Sequence, residues 1–252
     1  MLPHPTLEKL RDLRLDGMLA AYKDQFDLPD CQTLSFEERL GLLVDREILH
    51  RDNKKLALRI TKASLRQEAA IEDLDLRTPR GLDRTQILAL SSCDWIRRHE
   101  NCIITGSTGI GKSYLACALA QKACREGFDG IYRRTPRLFA ELALARGDGS
   151  YSRKLYNLSR AHLLVLDDFG VAAFDEPARR DLLELLDDRY GKRSTLVAAQ
   201  VPIDQWHEII GDPTLADAIL DRLVHNAHKV RMEGESMRKL RGSLTTEPTM
   251  QP

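Results

Sequence analysis

Eight consecutive residues, Gly106-Ser107-Thr108-Gly109-Ile110-Gly111-Lys112-Ser113, read as glycine, four variable positions, then Gly-Lys-Ser. Glycines at these places let the backbone curl so that successive N–H groups point at one phosphate. A helix opening at Lys112 adds the positive end of its dipole. Lys112 is expected to reach the β- and γ-phosphates of a nucleotide and Ser113 to place its hydroxyl on Mg²⁺. Tyr114 continues the segment and is counted among the nucleotide contacts. A glycine-rich turn can carry such a string by chance. This one follows an apolar run, Asn101–Thr105, and precedes a helical pattern from Lys112 to Arg125, as phosphate binding requires.

The second chemical signal is Leu163-Leu-Val-Leu-Asp167-Asp168, an apolar strand ending in two acids. In open α/β sheets ligands bind at the carboxyl ends of strands. Asp167 is therefore expected in the Mg²⁺ shell, and Asp168 is expected to orient or deprotonate the attacking water. An acidic turn after a strand is the plainer alternative. The spacing of 55 residues from Lys112 to Asp167 leaves room for two helices and a strand between them.

Those signals need a parallel sheet to position them, and from about residue 100 the pattern supplies one. Apolar runs at 101–105, 129–133, 162–166, 195–199 and 227–232 alternate with helical stretches at 112–125, 136–146, 181–190 and 215–226. Before residue 100 no strand pattern occurs. Residues 6–26 read as one amphipathic helix. A second follows Ser35, with Glu38 in capping-box position, and its stripe is Leu40, Leu43, Val44, Ile48 and Leu49. The expectation is a small helical domain over 1–75, an ATPase domain over 76–242 entered through a Pro- and Gly-bearing linker at 77–83, and an unstructured tail over 243–252.

Hydrophobic residues make up 42% and charged residues 30% of the 252, which suits a globular protein and excludes a disordered one. Lys plus Arg equals Asp plus Glu at 38 each, so only local clusters can argue for a nucleic-acid partner. One such cluster lies at 46–66, where seven basic side chains face only Glu47 and Asp52, a net charge of +5. Arg133, Arg134, Arg137, Arg153, Lys154 and Arg160 form a second basic set. No motif for reading bases is evident, so binding to double-stranded DNA is expected to be weakly sequence-selective. The five cysteines include no CxxC pair and read as free thiols in a reducing cytosol. Neither a signal peptide nor a membrane span is apparent, and the expected location is cytoplasmic.

Beyond these local signals, NCIITGSTGIGKSYLACALA, AHLLVLDDFG and GDPTLADAILDRLVHNAHKV with GESMRK resemble the IstB-like transposition helper ATPases. These are AAA+ proteins related to DnaC-like helicase loaders. The resemblance spans most of the chain and implies an α/β P-loop AAA+ core with a parallel five-stranded sheet, beside a small all-helical N-terminal domain. It implies a C-terminal lid that is reduced or absent, so that the linker and a neighbouring subunit roof the adenine. It implies ATP and Mg²⁺ as cofactors, DNA and the transposase of the same element as partners, and a homo-oligomer with shared sites. It also implies roles for Gln200 in sensing the γ-phosphate, Arg222 as an arginine finger acting on a neighbour's ATP, and Arg238 as a second sensor. A replicative helicase loader is the alternative within the ATPases. A small-molecule kinase would need a mobile Arg-rich lid, which the sequence does not show. A nucleotide-gated scaffold with negligible turnover also stays open.

Overall fold

The computed structural model describes residues 5–27, 31 and 33–237. The chain divides into two compact units, 1–58 and 59–252.

In the first unit, α1 (Pro5–Asp12), α2 (Asp16–Asp27) and most of α3 (Phe36–Ala63) are helical. The capping box forms: Ser35 N donates to Glu38 Oε2 at 2.8 Å, and Glu38 N to Ser35 Oγ at 3.3 Å. The single helix expected over 6–26 is instead two. Arg14 takes a left-handed φ of 55° and breaks it. Backbone bonds from Leu13 N to Lys9 O and from Leu15 N to Leu10 O close α1 around it, and buried Glu47, 30 residues on, accepts from the N–H groups of Gly17 and Met18 and so caps α2 from α3. A Cβ on Gly17 would stand 2.7 Å from Arg46 O and Glu47 Cα, so the two helices meet this closely only through glycine.

The second unit holds α4 (Arg84–Ser91), α5 (Asp94–Arg97), β1 (Asn101–Gly106), α6 (Lys112–Arg125), β2 (Gly130–Arg134), α7 (Thr135–Gly147), α8 (Tyr151–Arg160) and β3 (Leu163–Phe169). It continues with α9 (Glu176–Arg189), β4 (Ser194–Ala199), α10 (Trp206–Ile210), α11 (Pro213–Val224) and β5 (Ala227–Met232). The five strands form one parallel sheet in the order β2-β3-β4-β1-β5. Each strand alternates between two cores, as the period of two requires. Cys102, Ile104, Leu163, Val165, Leu196 and Ala198 face α4 to α6, whereas Ile103, Leu164, Leu166, Val197 and Ala199 face α7 to α11. The segment after α3 contributes Ala69 and Leu74 to the first of these cores, so it is packed rather than extended.

Buried Arg189 pins the far edge of the sheet. Among the described residues it has no acid partner but donates to the carbonyls of Leu158, Ala161 and Ser194 and to Thr195 Oγ1. Burial pulls its pKa down to about 9. Among the described residues no helix is long and apolar enough to cross a membrane.

Candidate functional site

Strand order dictates the site. Because β4 lies between β1 and β3, the carboxyl ends of these three strands are neighbours. The register sets Thr105 beside Ala199 and Arg134 beside Asp167. The phosphate loop, Gln200 and the two acids therefore converge on one edge, about 10 Å wide at ~4.8 Å per strand.

In the loop, Gly106, Gly109 and Gly111 all have positive φ, of 154°, 83° and 109°. A Cβ at Gly106 would overlap the Met232 carbonyl oxygen, and one at Gly109 the Ser236 hydroxyl. The loop is thus closed in by the segment after β5, whose Met237 N–H donates to Gly109 O at 3.0 Å. Buried Ile110 anchors the loop to the core, and Ile110 O accepts from Arg80 Nη1 at 3.1 Å. Lys112 opens α6 and donates to Ser107 O at 2.8 Å. Burial lowers the pKa of its ammonium, and Asp167 and Asp168 oppose that shift. Thr108 Oγ1 donates to Gln200 Oε1 at 2.7 Å, which ties the loop to the end of β4.

Asp167 is 1% exposed. Its Oδ1 accepts from Asp168 N at 2.8 Å and its Oδ2 accepts from the Tyr132 hydroxyl. Burial, and then the Asp167 carboxylate, push the Tyr132 pKa far above its ordinary value. Thr135 Oγ1 fixes the Asp167 carbonyl at 3.0 Å. At Asp168 the strand bulges, with a register shift between Leu166 and Phe169 and a left-handed φ of 55°. Bulges re-aim side chains, and aspartate tolerates this backbone region better than most residues. The Asp168 carboxylate accepts from Arg134 Nε at 2.6 Å. Arg66 Nη1 stands 3.5 Å from Asp167 Oδ2 and 3.7 Å from Asp168 Oδ2.

Among these groups Arg66, Thr108, Lys112, Arg134, Asp168 and Gln200 line a cleft of about 440 Å³, within the range of small-ligand pockets. Lys112, Ser113, Tyr114, Asp168 and Gln200 all border it, as do Asp75 and Arg80 from the segment before α4. Arg80 is 4% exposed, and its Nε has no hydrogen-bond partner among the described residues. The cations at the rim and the loop N–H groups suit an anionic ligand. The hydroxyl and carboxylate oxygens of Ser113 and Asp167 suit a hard divalent cation that keeps most of its waters.

Arg222 is elsewhere. It ends α11, where its Nε donates to Asp187 and its Nη1 to Ala218 O at 2.8 Å. Its own carbonyl accepts from Asn101 Nδ2 at 2.8 Å, and Asn101 opens β1. Arg222 therefore lies at the amino edge of the sheet, about 17 Å of strand from the phosphate loop. Arg238 lies outside the described residues. The sequence reading did not anticipate Arg66 or Arg80 in the cleft or Tyr132 on Asp167, and it placed Arg134 on a DNA-facing surface. For Arg134 a signal existed, because a strand paired with β3 must set a residue beside Asp167.

The family model for IstB-like ATP binding proteins matches residues 8–245. A Sinorhizobium fredii protein described as an insertion sequence ATP-binding protein is 53% identical over 239 residues, covering 95% of this chain and 98% of its own. Among solved structures, DnaI superposes with a TM-score of 0.57 at 20% identity, over 67% of this chain and 90% of that one. The DnaC helicase loader superposes with a TM-score of 0.52 at 17% identity, over 65% and 96%. At these identities the last two likenesses speak for the fold alone.

Proposed function

We propose a function from the premise that the chain belongs to the IstB-like ATP-binding family of AAA+ ATPases: Mg²⁺-ATP gates its assembly on DNA, in support of a transposase. The observation that carries the nucleotide half is the convergence of the glycine loop, Lys112, Asp168 and Gln200 on one cleft, with buried Asp167 next to Asp168 in the chain. In this reading the loop N–H groups cradle the phosphates, and Lys112 exchanges Ser107 O for β- and γ-phosphate oxygens. Ser113 and Asp167 hold magnesium, which when bound neutralises charge on the phosphoryl oxygens. Asp168 positions the attacking water and takes its proton. Gln200, already bonded to the loop through Thr108, senses whether a terminal phosphate is present. Arg222 acts in trans, since its place at the opposite edge of the sheet bars it from its own subunit's cleft. The placement of Asp75 and Arg80 supports a linker-side roof over the base.

The DNA half rests on the basic face of α3. Lys54 and Lys55 are exposed on it, and Arg59 continues it. The apolar stripe of the same helix stays uncovered, with Leu40, Val44, Ile48 and Leu49 each at least 41% exposed. That supports a partner-docking role for the helical unit, filled in our reading by the transposase. Sizing the protein with DNA in ATP, in ADP and without nucleotide tests the proposal. ATP-specific assemblies on DNA are expected, and indifference to nucleotide would refute the gating. Capture of a replicative helicase rather than the transposase by the full chain would shift the reading to a loader.

A further inference from the structure

Two adjacent acids, buried Asp167 and cleft-lining Asp168, are met by three cations of different kinds. Lys112 belongs to the phosphate loop. Arg134, set beside Asp167 by strand register, is hydrogen-bonded to Asp168 at 2.6 Å. Arg66 belongs to neither motif nor sheet, yet it stands within 3.7 Å of both acids and borders the same cleft as Lys112 and Ser113. Its position is built. Helix α3 stops at Ala63, and Ser64 then takes a left-handed φ of 51°, a costly conformation for a residue with a side chain. That single residue turns the chain toward the acids. Leu65 and Ala69 on either side of Arg66 then pack into the core that holds Cys117 of α6, the helix that the phosphate loop opens.

The side chain itself is only partly covered. It is 38% exposed, and its acid contacts are ion pairs of 3.5 and 3.7 Å rather than short hydrogen bonds. Burial works against the cation, but Tyr132, Asp168 and Asp167 outweigh it and raise its pKa. A long, charged side chain on a segment packed into the core, resting on acids expected to engage a metal, can exchange those acids for a nearby anion. We propose that Arg66 is a contact to the terminal phosphate of ATP supplied in cis, so that it separates ATP from ADP. The inference rests on the reading of this cleft as an ATP site. It names a cis arginine from the segment joining α3 to the core, distinct from Arg222 at the opposite edge of the sheet.

Calorimetric titration of the full chain with Mg²⁺-ATP and Mg²⁺-ADP tests it. Losing one charge-assisted hydrogen bond to a phosphate should weaken ATP about ten-fold or more in Arg66→Ala, and ADP by less than about three-fold. Arg66→Lys, which keeps the charge, should recover part of the ATP affinity. If the alanine variant melts lower than wild type, Arg66→Gln repeats the comparison with the stem retained. Equal losses for both nucleotides, or no loss for either, would overturn the inference. Lys112→Ala in the same titration separates the two levels. If it weakens both nucleotides while Arg66→Ala does not discriminate, only the role of Arg66 fails. If Lys112→Ala changes neither, the ATP site fails and this inference with it.

Discussion

If Arg222 serves a neighbour's ATP, two inactive variants should restore each other. The structure separates this from a structural role by magnitude. The side-chain partners of Arg222 are Asp187 and the Ala218 carbonyl, and both ion-pair members are partly exposed, at 28% and 49%. Removing such a surface pair costs about 0–1 kcal/mol of stability. An arginine finger is worth roughly 10³–10⁵ in turnover, about 4–7 kcal/mol at ~1.36 kcal/mol per decade. Arg222→Ala should therefore melt nearly as wild type, bind ATP nearly normally and lose hydrolysis. Asp168→Asn should also be inactive yet bind ATP, because asparagine tolerates the left-handed backbone at 168 but cannot take a proton. In a head-to-tail assembly each site joins the cleft of one subunit to the Arg222 of the next. A mixed junction works when an Arg222→Ala subunit supplies the cleft and an Asp168→Asn subunit supplies the arginine. Random 1:1 mixing makes about one quarter of such heterologous junctions competent, with activity falling away on either side of that ratio. Steady-state phosphate release across mixing ratios, with co-assembly checked by sizing, is the assay. Activity that stays at the floor in co-assembled mixtures would refute action in trans.

Three further outcomes rest on named side chains. Replacing Lys54, Lys55 and Arg59 with Ala should weaken DNA binding alike across sequences and flatten the slope of log affinity against log salt by roughly 0.9 for each phosphate no longer neutralised; an unchanged slope would move the DNA path to Arg153, Lys154 and Arg160. His162 Nδ1 accepts from the Asp129 N–H at 3.1 Å, and burial first, then Arg193, lowers its pKa below 6.5. The unfolded chain then binds the extra proton, so stability should be full above pH 6.5 and fall as pH drops through the depressed folded value. Urea unfolding against pH should show this loss shrinking in His162→Asn, and identical profiles would exclude the residue. Gly17→Ala should cost about 1–3 kcal/mol by forcing α2 off α3. Gly41→Ala, on a part of α3 with nothing within 4 Å, should instead gain up to about 1 kcal/mol of helix propensity; equal melting temperatures would sink the close-approach argument.

What could be read ahead of the structure, and what could not, divides along one physical line. The phosphate loop was legible because its constraint is local: positive φ at Gly106, Gly109 and Gly111 demands those residues at that spacing. The Ser35–Glu38 capping box and the alternating strands were legible for the same reason, each being set within a few positions. The break between α1 and α2 was not, because the acid that caps the start of α2 lies on α3. Nor were the start of α9 at Glu176, capped by Asp175, or the packing of Ala69 and Leu74 into the core beneath a stretch that reads as polar and irregular.

The cleft arginines were the least visible. A glycine in a motif records a backbone shape that few other residues can take. An arginine carries a long side chain and needs only to start within reach, so Arg66, Arg80 and Arg134 come from three unrelated segments with no shared spacing. What brings them together is the sheet order, which sets β2 beside β3, and the turn at Ser64. Two carboxylates one residue apart in a part-buried cleft repel each other unless cations stand by, so the acidic pair at 167–168 itself requires such partners. The acids therefore implied the existence of arginines that no local pattern could name.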